Sequence, residues 1–235
     1  YGVRKVWQQL KREGYIIARC TVARLMQKLG IQGVWRGKNK KTTRSRDDQK
    51  RADDLVKRNF NADHPDQLWV ADFTYIQTHS GWVYTAFIID VFSRAIVGWK
   101  VSTRMNTDMV LDALEQALHD RGMPKNVIHH SDRGVQYLSI RYTNRLEAAN
   151  LRASVGTTGD SYDNALAETV NGLYKTEVIE YLKADWQGLA DVQLATLNWV
   201  DWFNKERVHS ALDYVSPFDF EAMYYDKINQ LGQVA

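Results

Sequence analysis

Between Leu68 and Ser102 three strand-like runs follow one another, Leu68–Gln77, Trp82–Asp90 and Ala95–Ser102, with only His79-Ser80-Gly81 and Phe92-Ser93-Arg94 between them. Separators that short make hairpins, so the three runs are expected to pair antiparallel. The pattern then changes. Thr107–His119 reads as a helix stopped by Gly122-Met-Pro124, Val127–His130 as a short strand, Ile140–Ala149 as a helix and Leu151–Val155 as another short strand. Helix and strand in alternation imply parallel additions to the sheet. The expected architecture is α/β, a mixed five-stranded sheet flanked by helices. From Asn164 the chain reads as mostly helical, over about 164–182, 187–208 and 216–229.

Upstream of the sheet the period is helical from the start. Val3, Val6, Trp7 and Leu10 recur as an amphipathic stripe that Gly14 interrupts. A second stripe, Val22, Leu25, Met26 and Leu29, comes after Cys20, with Thr21 placed to cap its first turn and Gly30 to stop it. Two short helices joined by a turn suit a small helix-turn-helix region, with Arg19, Thr21, Arg24 and Lys28 near the start and outer face of the second helix. A generic helical hairpin would show the same stripes. The segment from Arg36 to Arg46 is basic and lacks an apolar period, so it is expected to be a linker able to lie along phosphates.

Charge is unevenly spread. Net charge is only +3, yet residues 1–60 hold 17 Lys and Arg against 5 Asp and Glu, and the remainder is acidic. A basic arm on an acidic body suits a nucleic-acid binder with a carboxylate-rich site, although a merely solvated arm would look alike. Cys20 is the only cysteine, which excludes intramolecular disulfides and cysteine-based zinc fingers. No apolar run approaches the length needed to span a bilayer, and no secretory leader is visible. These features lead to an expected intracellular location, and a chain beginning at Tyr1 leads to the expectation of a further N-terminal part.

Three carboxylates stand out. Asp72 lies inside the otherwise largely apolar run Leu68-Trp-Val-Ala-Asp-Phe-Thr-Tyr-Ile76. A buried carboxylate is costly unless paired or metal-bound, whereas a strand-edge Asp facing water is not. Asp132 comes after the short strand ending at His130, where open α/β sheets place their chemistry, though it could instead cap the next helix. Glu168 shares a helix face with Asn164, Asn171 and Lys175, while Leu166, Val170, Leu173 and Tyr174 are expected to face inward. By itself that polar face reads as a solvated one. Three hard oxygen donors could together hold Mg²⁺ or Mn²⁺, and two such ions suit in-line phosphoryl displacement.

Four motifs carry a resemblance: Trp69-Val-Ala-Asp72-Phe-Thr-Tyr-Ile76, Ile89-Asp90-Val-Phe-Ser-Arg94, His130-Ser-Asp132-Arg-Gly-Val-Gln-Tyr137 and Asp163-Asn-Ala-Leu-Ala-Glu168. They resemble the integrase core of insertion-sequence transposases, and the tail from Trp202 to Pro217 fits the same group. The chain is most similar to the second-frame product of the IS-three family, which shares its core with retroviral integrases. The 35 residues from 133 to 167 separate Asp132 from Glu168, matching that family's spacing.

The resemblance implies a ribonuclease-H-like fold and a DNA transposase in which Asp72, Asp132 and Glu168 are catalytic and bind Mg²⁺ or Mn²⁺, two ions per site. It implies strand cleavage and strand transfer at insertion-sequence ends by a copy-out, paste-in route. Expected partners are double-stranded DNA (terminal repeats and target), further copies of the chain in a homo-oligomer, and the element's first-frame product. The expected location is the bacterial cytoplasm, on the nucleoid when DNA-bound.

Residues expected to touch DNA are Arg19, Thr21, Arg24, Lys38, Lys40, Lys41, Arg44, Arg133, Asn164, Lys175 and Arg207. Asp90 is expected to be structural, with Arg94, and His129 and His130 are read as strand-end residues rather than zinc ligands. Expected boundaries are 1–32 for the helix-turn-helix-like region, 33–62 for the basic linker, 63–185 for the catalytic core and 186–235 for a helical extension of that core. Two other functions fit the same residues: a nuclease of this fold without joining activity, and a non-catalytic DNA-binding regulator.

Overall fold

The computed structural model describes residues 1–34, 54–56, 59–132, 134–156, 165–182 and 185–232. Two compact units form by internal packing. One comprises Tyr1–Thr42 with Phe203–Ala235, the other Thr43–Trp202.

The larger unit holds the sheet. Strands β1 (Leu68–Thr78), β2 (Gly81–Asp90) and β3 (Ile96–Ser102) pair antiparallel, and β4 (Ile128–Ser131) and β5 (Arg152–Val155) add in parallel on the other side of β1. The order is β3-β2-β1-β4-β5, so β1 is central. Helix α3 (Thr107–Asp120) links β3 to β4, and α4 (Ile140–Ala148) links β4 to β5. Both are capped by their own sequence: Asn106 accepts from the Met109 amide at 3.2 Å, and Ser139 accepts from the Tyr142 amide at 3.3 Å. The mixed sheet and its boundaries match the expectation to within a residue or two.

Each sheet face has its own core. On one, Trp69, Ala71, Ala86 and Ile88 meet Met109, Ala113, Leu114 and Ala117 of α3 and Tyr142 and Leu146 of α4. Burying each large apolar side chain contributes about 1.5–3 kcal/mol. Gly98 permits the close approach of α3, because a Cβ there would lie 2.2 Å from the Ala113 carbonyl oxygen. On the other face α5 (Ala165–Tyr174) brings Tyr174 against Phe87 at a ring separation of 5.2 Å. Trp199 of α6 (Leu189–Lys205) completes the aromatic cluster, and the Tyr174 and Thr196 hydroxyls pair at 2.6 Å.

The expected helix of 164–182 is not uniform. Its α-helical part ends at Tyr174, and Lys175–Glu180 forms a wider π-helical turn. Such turns recur at functional sites.

The hairpin corner between β2 and β3 is organised by Asp90. One carboxylate oxygen accepts from the Ser93 amide at 2.7 Å and the Ser93 hydroxyl at 2.9 Å, and the other from the Asp66 amide at 2.8 Å. Asp66 in turn binds Arg121 through both carboxylate oxygens. This network gives Asp90 the structural role expected of it, with Arg94 in a left-handed turn conformation at φ 64°.

In the smaller unit, α1 (Val3–Arg12) and α2 (Arg19–Lys28) form the helical pair. Trp7 Nε1 donates to the Ile17 carbonyl at 2.8 Å, and Val22 and Met26 are buried. Two details differ from expectation. Ala18, not Thr21, is the N-cap of α2, and no side chain caps it, because the helix begins three residues before the first apolar position, Val22. Leu25 and Leu29 are exposed, so the buried stripe is narrower than the sequence implies.

The chain from Phe203 onward, including α7 (Pro217–Gly232), joins this unit. The Val208 amide donates to the Tyr1 hydroxyl at 2.9 Å, and Arg12 reaches Asp219 at 2.5 Å and the Tyr214 carbonyl at 3.1 Å. The stretch 186–235 is therefore divided: α6 up to Trp202 belongs with the sheet, and the residues from Phe203 on pack with the N-terminal helices. Long-range polar contacts of this kind leave no periodic trace in a sequence.

Candidate active site

Pairing between β1 and β4 runs from Leu68 opposite Ile128 to Ala71 opposite Ser131, and stops there. The next residue on each strand is a carboxylate, Asp72 on β1 and Asp132 after β4. Asp72 remains bonded to the sheet through β2, opposite Phe87, so it sits on a central strand whose other neighbour has just ended. A strand-edge reading of the whole run is thereby ruled out. The capping alternative for Asp132 also fails, since Ser139 caps α4.

Each carboxylate is held. Asp72 Oδ1 accepts from the Phe73 amide at 2.8 Å, and Asn171 Nδ2 donates to its Oδ2 at 2.9 Å. Asp132 Oδ1 accepts from the Gly134 amide at 2.9 Å. A Cβ at Gly134 would fall 3.0 Å from that oxygen, so a side chain there would make the Asp132 carboxylate shift by a few tenths of an ångström.

Burial pushes the Asp72 carboxyl up to about 8, and the negative charges of Asp132 and Glu168 add to the rise. The amides of Phe73 and Asn171 oppose it. Asp132 is raised too, by burial first, although its residue surface is exposed: it lies open on one side and crowded by protein on the others. Asp72 is raised by burial and by its carboxylate neighbours, Asp132 by burial against the opposing pull of the Gly134 amide and His130; a nearby cation would favour the ionised form of both. Among the described residues no three His, Cys, Asp or Glu are already gathered as a ready cage.

Asn171 is the residue that sequence reading passes over. Periodicity puts it on the polar face of α5 with Glu168 and gives it no role; in the fold it is buried and bonds Asp72, while Leu166 and Leu173 are only partly covered. Its position three residues after Glu168 is the available signal. Glu168 is exposed on the preceding turn. Tyr137, in sequence no more than the end of a motif, also belongs to the site. Its ring packs on Phe73, its hydroxyl is buried without a hydrogen-bond partner among the described residues, and the charges of Asp72 and Asp132 reach it.

Lys175 opens the π-helical turn. Its ammonium lies 4.6 Å from the centre of the Tyr75 ring; partial burial lowers its pKa, and the charges of Glu180 and Asp72 oppose that shift. His129 and His130 are buried in β4, bonded to the Tyr142 hydroxyl at 3.0 Å and the Ser154 hydroxyl at 2.9 Å. Burial depresses His129 to about 4, which keeps it neutral. They are core residues.

Arg19 and Arg24 are exposed on α2 and Thr21 is half-buried beside them, 3.4 Å from Arg24. Arg207 is placed differently from a phosphate contact. It is buried, over the Phe203 ring and near His209 Nε2 at 3.5 Å. Lys38, Lys40, Lys41, Arg44, Arg133 and Asn164 lie outside the described residues. No described helix is long and apolar enough to cross a membrane.

Comparisons with known proteins agree with this fold. Residues 62–161 and 149–217 match the family described as integrase core domain, and residues 1–39 match the HTH-like domain. The transposase for insertion sequence element IS629 of Shigella sonnei is 58% identical over 228 residues, covering 97% of this chain and 76% of that protein. The transposase InsF for insertion sequence IS3A of Escherichia coli K12 is 34% identical over 223 residues, covering 94% and 76%.

Among solved structures, the simian T-cell lymphotropic virus intasome in complex with a PP2A regulatory subunit is similar in fold. Its TM-score is 0.58 at 17% identity, over 67% of this chain and 55% of that one. The HTLV-2 integrase catalytic core domain in complex with magnesium has a TM-score of 0.55 at 18% identity, over 68% and 99%. These two share the ribonuclease-H-like architecture. With the curated relatives matching nearly its full length, the chain belongs to the insertion-sequence transposases of the IS-three family, built on an integrase-like core.

Proposed function

We propose that this DNA transposase cuts and joins strands at insertion-sequence ends with Asp72, Asp132 and Glu168 as its catalytic carboxylates. The observation that carries the reading is the register of β1 and β4, which ends just before two carboxylates and sets them side by side under α5. Water, and then a DNA 3′-hydroxyl, attacks the phosphodiester in line, and the 3′-oxygen of the cut strand or of the target leaves.

The residues fit a divalent cation. All three donors are hard carboxylate oxygens, the charges of Asp132 and Glu168 bear on Asp72, and the buried Asn171 Oδ1 beside them has no partner among the described residues. When bound, Mg²⁺ or Mn²⁺, as two ions, would offset charge on the attacking and departing oxygens. Asp72, Asp132 and Glu168 would hold the ions. Asn171 fixes the rotamer of Asp72, and the Gly134 amide fixes that of Asp132. The similar HTLV-2 core is in complex with magnesium, which supports the choice of ion.

DNA is the substrate in this reading, with Lys175 on phosphates near the carboxylates and Arg19, Thr21 and Arg24 on terminal-repeat DNA. The basic positions Lys38, Lys40, Lys41, Arg44 and Arg133, together with Asn164, are assigned to DNA contact in the same reading. Joining two ends calls for more than one copy of the chain, aided by the element's first-frame product, acting on the nucleoid in the cytoplasm.

The deciding experiment incubates the chain with DNA carrying the flanking ends of its source element, with Mg²⁺ or with chelator. Nicked ends, and joined products when pre-nicked ends and target are supplied, are expected only with metal. Cleavage without joining would favour the nuclease reading; binding without cleavage would favour the regulator. Full activity of Asp132→Ala would overturn the triad.

A further inference from the structure

Beyond Asp72, the β1–β2 hairpin carries an exposed aromatic pair that neither core uses. Tyr75 on β1 and Trp82 on β2 are each 49% exposed, and their rings meet edge to face at 5.3 Å. In the register Gln77 lies opposite Trp82, so the two aromatics are diagonal neighbours on one sheet face. β4 has ended four residues before Tyr75, so among the described residues no strand pairs with this stretch of β1 on that side. Over Tyr75 stands the Lys175 ammonium at 4.6 Å, held at the start of the π-helical turn.

The platform is rigidly built. The hairpin tip beyond it is fastened by the His79 amide to the Trp186 carbonyl at 2.9 Å, and by the Ser80 amide and hydroxyl to the Gln187 carbonyl at 3.0 and 2.6 Å. A preformed surface loses little freedom when a ligand settles on it. Three residues of strand separate Tyr75 from Asp72, about 10 Å along the backbone, and alternation starts their side chains from opposite sheet faces. Lys175, which stands over Tyr75 and whose charge interacts with Asp72, joins the two around the open edge of β1.

We propose that Tyr75, Trp82 and Lys175 form a stacking site for an unpaired nucleobase of the DNA strand beside the carboxylates. The proposal rests on the transposase reading above. Aromatic faces attract any base through its π surface, and a cation at the rim meets the adjoining phosphate. A strand engaged at the carboxylates has its next few nucleotides within that reach, at about 3.4 Å per stacked base. Holding a base there would keep the end of the duplex open around the phosphodiester under attack. A cross-strand aromatic pair serving the sheet alone would need no cation over one ring and no position at the open end of β1.

The test compares binding of the full chain to two DNA ends of one sequence, fully paired or with unpaired bases at the cleavage junction, with 2-aminopurine at the unpaired position. The wild type should favour the unpaired end and quench the probe. Trp82→Leu and Tyr75→Leu should each lose about 5- to 150-fold in affinity for the unpaired end, with less change for the paired one. Trp82→Phe, which keeps a ring in the sheet, should retain part of the quenching and serves if the leucine variants fold poorly. Equal affinity and quenching in wild type and Trp82→Phe and Trp82→Leu would overturn the proposal. So would a change in oligomeric state with unchanged base discrimination, which would make the pair a contact between copies. Metal-dependent joining of pre-nicked ends is scored in parallel. A wild type that joins ends but shows no preference for unpaired bases sinks only this inference, whereas a wild type that never joins sinks the strand-transfer reading itself.

Discussion

Asp72 and Asp132 each stand one residue beyond the same parallel pair, Ala71 opposite Ser131. Strand pairing thus brings together two like charges that would otherwise repel, and it does so with core residues that have no chemistry of their own. The cost appears in the raised Asp72 carboxyl, whose first cause is burial and whose second is Asp132.

Removing that carboxyl should stabilise the metal-free protein. Asp72→Asn keeps an oxygen to accept from Asn171 and escapes the cost of holding a buried carboxyl protonated far above its ordinary range, so a gain of about 1–3 kcal/mol is expected at neutral pH. For a chain of this size that is a rise in Tm of roughly 2–12 °C. Mg²⁺ should raise the Tm of the wild type and have little effect on the variant. Scanning calorimetry with and without Mg²⁺ checks both, and a lower Tm for the variant would contradict this origin of the cost.

The same shift sets a pH dependence. Native Asp72 keeps its proton up to about 8, while the unfolded chain releases it near the ordinary 3.8. Between those values the native state binds more protons, so this group makes stability fall as pH rises through that window. Urea titrations in chelator across pH 5 to 8 should show the decline, and Asp72→Asn should flatten it.

Asn171 should matter to activity through its bond to Asp72. Asn171→Ala leaves Asp72 without its side-chain donor and should lower the cleavage rate by about 10- to 100-fold, as loss of a ligand's supporting bond commonly does. More Mg²⁺ should recover part of the loss. Unchanged rates across a Mg²⁺ titration would mean that the bond to Asp72 does no positioning.

Gly98 tests the packing that supports the site from the other side. In Gly98→Ala the new Cβ would press on the Ala113 carbonyl at 2.2 Å and on Ala117 Cβ at 2.9 Å. Helix α3 has to move off β3, at a cost of about 3 kcal/mol. The expected fall in Tm is roughly 6–12 °C.

Much of this protein is local, and what is local is legible in the sequence. Short separators force hairpins whatever surrounds them, so β1, β2 and β3 can be read from His79-Ser80-Gly81 and Phe92-Ser93-Arg94. Asp90 sits among its own corner residues, and its structural role can be read there. Asp72, Asp132 and Glu168 can be singled out by resemblance and by the 35 residues between the last two, because the motifs around them are short runs of chain.

Features that depend on partners far along the chain are not legible. Asn171 and Glu168 look alike on one polar helix face, and only the docking of α5 over β1 turns one onto Asp72. Arg207 reads as a surface cation, yet it is buried over Phe203. The final helix looks like an extension of the core, but its unit is closed by Tyr1 and Arg12 from the opposite end of the chain. A sequence records which side chains seek burial or charge; which ones meet depends on the register of strands and the packing of helices, and these exist only in the folded chain.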